Sequence, residues 1–327
     1  MRFRMLGLAL ALGATAVTAA QTVRIDGSST VYPVAEAVAE EFQKAKRGRI
    51  RVTVGISGTG GGFKKFCRGE IDITNASRPI TRKEMDDCRA AGIRYLEMPV
   101  AFDALTVVIN PRNMWARNLT IAELKAMWEP AAQGKITNWR QVNPKWPDAP
   151  LKLFGPGADS GTFEYFTEAV TGTSKASRGD FTASEDDNVL VQGVSRDVNA
   201  LGYFGFAYYI ENRDKLLAAA VVPRAGKPGV APSLETVMNG TYQPLARPVF
   251  IYVSARAAQK QEVREFVEFF NRNADKLVKE VKYIPLPASA YAYNLDTLAK
   301  MRAGTKFGGE NKVGLTIEEL MKLETRP

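Results

Sequence analysis

Apolar and polar residues alternate at Val23-Arg24-Ile25, at Ile50-Arg51-Val52-Thr53-Val54 and at Ile71-Asp72-Ile73, which predicts three short strands. Each runs into small or hydroxyl residues and then into apolar positions at helical spacing. Asp26-Gly27-Ser28-Ser29-Thr30 precedes Val31, Val34, Ala35, Val38 and Phe42, with Pro33 tolerable in a first turn. Gly55 to Gly62 precedes a short helix at Phe63 to Cys67. Thr74 to Ile80 precedes Thr81-x-x-Glu84, a capping box that opens a helix ending near Gly92. The same grammar returns at Leu151 to Val170: an apolar strand, a loop ending in Asp159-Ser160-Gly161-Thr162, and an amphipathic helix.

Two longer apolar runs punctuate the chain. Met98 to Asn110 is rich in β-branched residues and reads as a buried strand crossing between domains, and Arg247 to Val253 reads as the return crossing. The expected division is A–B–A, an α/β architecture of two lobes: residues 21–103 with 248–327 form the first, and 104–247 the second. Further helices are expected after the capping box Thr120-x-x-Glu123, at Ser184 to Arg196, at Gln261 to Phe270 and at Ile317 to Leu323. Leu201 to Tyr209 reads as an aromatic strand. Trp115, Trp128 and the Tyr and Pro cluster from Tyr283 to Tyr293 read as packing.

Residues 1–20 depart from this pattern. Arg2 and Arg4 precede an apolar run to Val17, and Thr18-Ala19-Ala20 supplies small residues before a cut site. That describes a secretory signal peptide, too short and wrongly flanked for a membrane span. A retained N-terminal anchor is the alternative. No Cys stands near the cut, so lipid attachment there is not expected, and the chain reads as a soluble periplasmic protein.

Composition narrows the chemistry. The chain has 327 residues, 45% hydrophobic and 24% charged, enough for a sizeable core. Loss of the two leader arginines lowers the formal charge from +9 to +7. The remaining basic residues are scattered, without aromatic interleaving, which argues against nucleic acid. There is no His, the commonest general base and metal ligand. The two cysteines, Cys67 and Cys88, are expected to pair in an oxidising compartment, with free buried thiols as the alternative. No Gly-x-Ser-x-Gly elbow occurs, so a phosphatase or Ser hydrolase is disfavoured.

The recurring loops can bind anions, because a helix start carries unpaired N–H groups and partial positive charge. An N-cap without ligand remains the alternative at each one. Arg78, set between a strand and a helix, could offer a two-pronged fork to an oxyanion, or could be a solvated surface charge.

Several stretches together resemble the phosphate-binding component of the phosphate-specific ABC importer. They are Asp26-Gly27-Ser28-Ser29-Thr30-Val31, Ser57-Gly58-Thr59-Gly60, and Gly69 to Pro79 with its Asn75-Ala76-Ser77-Arg78-Pro79 variant. Gly134-Lys135-Ile136-Thr137-Asn138-Trp139, Asp159-Ser160-Gly161-Thr162 and Ala200-Leu201-Gly202-Tyr203-Phe204-Gly205 complete the set, in order along nearly all of the mature chain. The resemblance implies a two-lobed periplasmic-binding fold, type II-like, with inorganic phosphate in the inter-lobe cleft. It also implies an ABC permease as partner, a monomer, no cofactor and no catalysis. The implied ligands are Ser29, Thr30 and the Val31 N–H, Ser57, and Ser160, Gly161 and Thr162.

Two family features are displaced. A carboxylate usual after the Ser matching Ser77 is replaced by Arg78, and an Arg usual before Ser-Gly-Thr corresponds to Pro156. We therefore expect the charges to have exchanged lobes, Arg78 facing the anion from one side and Asp159 from the other. A carboxylate there can accept the phosphate O–H, which sulfate lacks. Helix capping is the other role open to Asp159, and Asp72 and Asp187 are reserve candidates for accepting the phosphate proton. A sensor without a permease, or a sulfate or molybdate binder, would share this site.

Overall fold

A computed structural model describes residues 21–158, 160–184, 186–223 and 226–326. The expected leader and Asp159 lie outside the described residues. In chain order the strands are β1 (Gln21–Gly27), β2 (Ile50–Val54), β3 (Ile73–Ala76), β4 (Tyr95–Ile109), β5 (Asn118–Thr120), β6 (Lys152–Gly155), β7 (Thr182–Ala183), β8 (Ala200–Gly205), β9 (Leu217–Ala218), β10 (Ala220–Val222) and β11 (Ala246–Ser254). The helices are α1 (Tyr32–Ala45), α2 (Gly58–Cys67), α3 (Arg82–Ala90), α4 (Ile121–Trp128), α5 (Trp139–Val142), α6 (Gly161–Thr171), α7 (Asp187–Arg196), α8 (Phe206–Glu211), α9 (Leu234–Met238), α10 (Gln261–Glu280), α11 (Ala288–Ala299) and α12 (Ile317–Lys322).

The principal sheet runs β2-β1-β3-β11-β4-β8-β6-β7, with β9 also on β4, and β10 and β5 pair separately. β1 lies parallel to β2 and β3. β4 is the continuous element: Tyr95 to Ala104 pair antiparallel with β11, and Leu105 to Ile109 pair with β8. Every residue of β4 and β11 is buried, which is why both read as apolar runs with no alternation. In the β4–β11 register, Arg247 stands opposite Asp103 and Pro248 opposite Phe102.

Helices cover the sheet with the faces their spacing dictates. The buried face of α1 (Val34, Ala35, Val38, Ala39, Phe42) lies on α10, where Phe42 meets the edges of Phe266 and Phe269 at 5.3 and 5.4 Å. Both expected capping boxes form, at Thr81 with Glu84 and at Thr120 with Glu123. Cys67 at the end of α2 and Cys88 in α3 form a disulfide, with the sulfurs 2.03 Å apart.

Several elements differ from expectation: α2 already begins at Gly58, inside the glycine-rich loop, and the third strand runs from Ile73 to Ala76 and not from Ile71 to Ile73. The aromatic strand stops at Gly205, which caps α8, and Phe206 begins a helix that packs on β4 and α7. α10 continues to Glu280, because Asn271, Ala274, Leu277 and Val278 stay on the buried face beyond Phe270. The Tyr and Pro cluster packs as expected, its later part within helix α11 after Pro287; Tyr291 Oη donates to the Val100 carbonyl (3.0 Å) and Asn294 Nδ2 to that of Pro99 (2.7 Å).

Candidate anion-binding cleft

Three helix starts converge between the two halves of the sheet. β1 ends at Gly27, and the following turn is fixed by Ser28 N–H donating to the Asn75 carbonyl (3.0 Å) and Tyr283 Oη to the Thr30 carbonyl (2.6 Å). No side chain caps α1 at Val31, so its first turn keeps its positive end uncovered. Ser29 is half-buried, whereas Thr30 and Val31 are buried.

The start of α2 is also uncapped. Ser57 donates its hydroxyl proton to Asp26 Oδ1 (2.6 Å), and Lys65 Nζ holds the other Asp26 oxygen at 2.6 Å. A Cβ on Gly62 would collide with Thr74 Oγ1 and the Gly27 backbone, so glycine lets α2 settle directly onto the ends of β1 and β3. Thr59 Oγ1 meets Ser77 Oγ at 3.0 Å and accepts the Ser77 N–H at 3.2 Å.

The third start belongs to the other half. Ser160 caps α6, its Oγ accepting the Thr162 N–H at 3.1 Å. Gly161 lies against Ser77, and a Cβ there would also sit 3.6 Å from Thr30 Oγ1. Thr30, Ser77, Gly161 and the start of α2 therefore share one small volume, while Asp159 belongs to the undescribed positions.

Arg78 is largely buried, and its fork is already engaged. Nη1 and Nη2 donate to the two oxygens of Glu84, each at 2.9 Å, and Nη1 also reaches the Pro79 carbonyl at 3.1 Å. Nε faces Glu164 of α6 at 3.6 Å, and Lys175 Nζ holds the other Glu164 oxygen at 3.0 Å. Burial works against the Arg78 charge, but the Glu84 hydrogen bonds and the fields of Glu84 and Glu164 outweigh it and hold its pKa above the ordinary value. The guanidinium thus spans the cleft through an ion-pair chain, Glu84–Arg78–Glu164–Lys175. The loop bearing Arg78 is fixed from behind: Ile80 N–H donates to Tyr252 Oη (2.9 Å), which donates to the buried Glu97 (2.8 Å).

A second guanidinium reaches the same volume. Arg247 on β11 is 2% exposed, and its Nη1 donates to the Gly161 carbonyl (2.6 Å) while Nη2 approaches Thr30 Oγ1 at 3.4 Å. Nε and Nη2 lie 3.3 and 3.2 Å from Asp103 Oδ2 on the neighbouring strand. Burial pushes the Asp103 carboxyl up, and the charge and hydrogen bonds of Arg247 pull against it.

Sequence reasoning missed Arg247, Asp103, Glu84 as a partner, and Glu164. The first two had a signal: Asp103 is the one charged residue in the apolar run from Met98 to Asn110, and Arg247 the one in the run from Arg247 to Val253. Of the reserve carboxylates, Asp72 is bound to the Arg24 N–H (2.9 Å) and Lys260 (2.8 Å) next to the start of β3, the end away from Ser77, and Asp187 lies in the first turn of α7.

Residues 13–273 match the model of the PBP superfamily domain, the periplasmic-binding-protein fold. The chain belongs to this superfamily. Within it, the chain is 57% identical to Protein SphX of Synechococcus elongatus, over 92% of this chain and 88% of that one. It is 36% identical to the phosphate-binding protein PstS of Staphylococcus saprophyticus, over 82% of each chain, which places it in the family of these proteins. Among solved structures it resembles a possible phosphate-binding protein of Planctomyces limnophilus, with 48% identity, TM-score 0.70 and coverage of 86% of this chain and 98% of that one. A putative phosphate ABC transporter substrate-binding protein of Clostridium perfringens, solved with bound phosphate, matches at 26% identity and TM-score 0.66, over 81% of this chain and all of that one.

Proposed function

We propose that this chain captures inorganic phosphate outside the cytoplasmic membrane and delivers it to an ABC import permease, without catalysis of its own. The observation that carries the reading is the meeting of three helix starts, α1 and α2 from one half and α6 from the other. Thr30, Ser77 and Gly161 lie within a few ångströms of one another there. Converging helix starts, two of them without a side-chain cap, and hydroxyl donors favour a compact multivalent anion. The PstS name among relatives at 36% identity and the phosphate-bound structural relative point to phosphate as that anion.

In this reading the ligands are Ser29, Thr30, the Val31 N–H, Ser160, Gly161 and Thr162, with Ser57 joining them when its hydroxyl turns from Asp26 and Arg78 contributing the Nη2 N–H that Glu84 leaves free. Asp159 is the proposed acceptor of the phosphate proton. The lobes are residues 21–103 with 248–327, and 104–247. Residues 1–20 act as a cleaved export signal, which sets the mature protein in the periplasm; it works there as a monomer in this reading. Among the described residues no helix is long and apolar enough to cross a membrane.

Calorimetric titration tests the reading. Phosphate should bind with a Kd of about a micromolar or tighter, −8 kcal/mol or more favourable, and sulfate should compete poorly. Tighter binding of sulfate or molybdate would move the protein to another oxyanion, and turnover of a phosphate ester by pure protein would overturn the absence of catalysis.

A further inference from the structure

We propose that Arg247 is a positioning residue for the bound anion, holding the ligand loops of both lobes from the junction of the crossing strands and slowing release. The inference rests on the phosphate reading above. All three guanidinium nitrogens are committed. Nη1 donates to the Gly161 carbonyl in one lobe, Nη2 to Thr30 Oγ1 in the other, and Nε with Nη2 to Asp103 between them. The Tyr165 ring lies against the guanidinium, 5.0 Å from the ring centroid, and its hydroxyl lies 2.9 Å from the carbonyls of Pro244 and Ala246. Packed in this way, Arg247 has no room to swing aside.

Each contact has a consequence for the anion. Because Thr30 Oγ1 accepts from Arg247, its own proton is left to donate into the cleft. Because the Gly161 carbonyl accepts a charge-assisted bond, the first turn of α6 is drawn toward Thr30 and Ser77. The two acceptors belong to opposite halves of the sheet, so separation of the lobes must break at least one of these bonds. Asp103 supplies the countercharge that makes a buried guanidinium tolerable and leaves the pair neutral. Arg247 thus rewards the closed, anion-bound arrangement without adding charge to it.

Release of radiolabelled phosphate into excess unlabelled phosphate tests the proposal on the full mature protein. Arg247→Gln should release about ten- to hundredfold faster. Arg247→Lys should also release faster, because one ammonium cannot reach Asp103, Thr30 and Gly161 together. Asp103→Asn should slow release, since Arg247 keeps its two loop contacts and its charge is no longer neutralised. If Arg247→Gln fails to fold because Asp103 is left unpaired, the double variant Asp103→Asn/Arg247→Gln carries the test and should release as fast as predicted for the single. Equal acceleration in Asp103→Asn and Arg247→Gln would reduce Arg247 to an ion-pair partner and overturn the proposal. So would unchanged release in the double or lysine variants. Failure of the unaltered protein to bind phosphate would instead sink the functional reading, and this inference with it.

Discussion

Gly161 and Ser77 face each other across the cleft so closely that a single added carbon on Gly161 would overlap the Ser77 hydroxyl. One belongs to the first turn of α6 and the other directly follows β3, on opposite sides of the crossing strands. A Cβ at position 161 fits this arrangement only if the Ser77 side chain shifts. Overpacking of this kind costs about 1–3 kcal/mol, and in a protein whose lobes part without ligand it falls on the closed form alone. Gly161→Ala should lower phosphate affinity roughly ten- to hundredfold, while the melting temperature of the ligand-free protein stays near that of the parent. Equal affinity in a titration would mean that the Gly161–Ser77 contact is absent from the bound state.

Arg78 gives a second prediction with the opposite sign. Its charge is shared between Glu84 in its own lobe and Glu164 across the cleft. A carboxylate 3.6 Å from Nε both neutralises the guanidinium and repels an incoming anion. Glu164→Gln should thus tighten phosphate binding about fivefold, the scale of a partly exposed ion pair. Arg78→Ala should weaken binding. The gain in Glu164→Gln should shrink in titrations at high salt, where screening removes the repulsion. Weaker binding in Glu164→Gln would show that the carboxylate contacts the ligand favourably instead.

The crossing strands were legible in the sequence because full burial leaves an uninterrupted apolar run, and β4 and β11 are buried at every position. The strand, hydroxyl loop and helix pattern was legible too, since cap and turn residues act locally. Arg78 shows where local reading stops. Its setting predicted a fork aimed at an anion, but the capping-box residue Glu84 takes both prongs. Two roles for one glutamate, capping α3 and pairing Arg78, follow only from where the third strand sets the loop. Arg247 and Asp103 are 144 residues apart and meet through the antiparallel register of the crossing strands. Alternation alone cannot assign that pairing. The end of the aromatic strand at Gly205 is of the same kind, decided by the packing of Phe206 on β4.

The Cys67–Cys88 disulfide ties α2, which begins at the cleft, to α3, which bears Glu84. Its sequence separation of 21 corresponds in the chain-entropy account to about 3 kcal/mol of stabilisation. Reduction, or Cys67→Ser with Cys88→Ser, should lower the urea midpoint accordingly without abolishing phosphate binding. A midpoint unchanged by reductant would mean that the bond does not form in the purified protein.

A pH prediction comes from the pairing of Arg178 with Asp180. Arg178 is 4% exposed, and it donates to the Asp180 carboxylate at 2.5 and 2.8 Å and to the carbonyls of Met127 (3.2 Å) and Ile136 (2.8 Å). Gly134 N–H adds a further bond to Asp180 at 2.9 Å. The Arg178 hydrogen bonds lower the Asp180 pKa from 3.8 to about 2. The unfolded chain then binds that proton more readily than the folded one, so the pair stabilises the fold above about pH 3.8, and the contribution fades as pH falls towards about 2. Asp180→Asn leaves the buried Arg178 without its charge partner and should lower the melting temperature at neutral pH. The gap between parent and variant should narrow through this acid window and close near its lower end. Melting curves of both proteins across that range check it; a gap as wide at the acid end as at neutral pH would mean that the ionised Asp180 is not what holds Arg178.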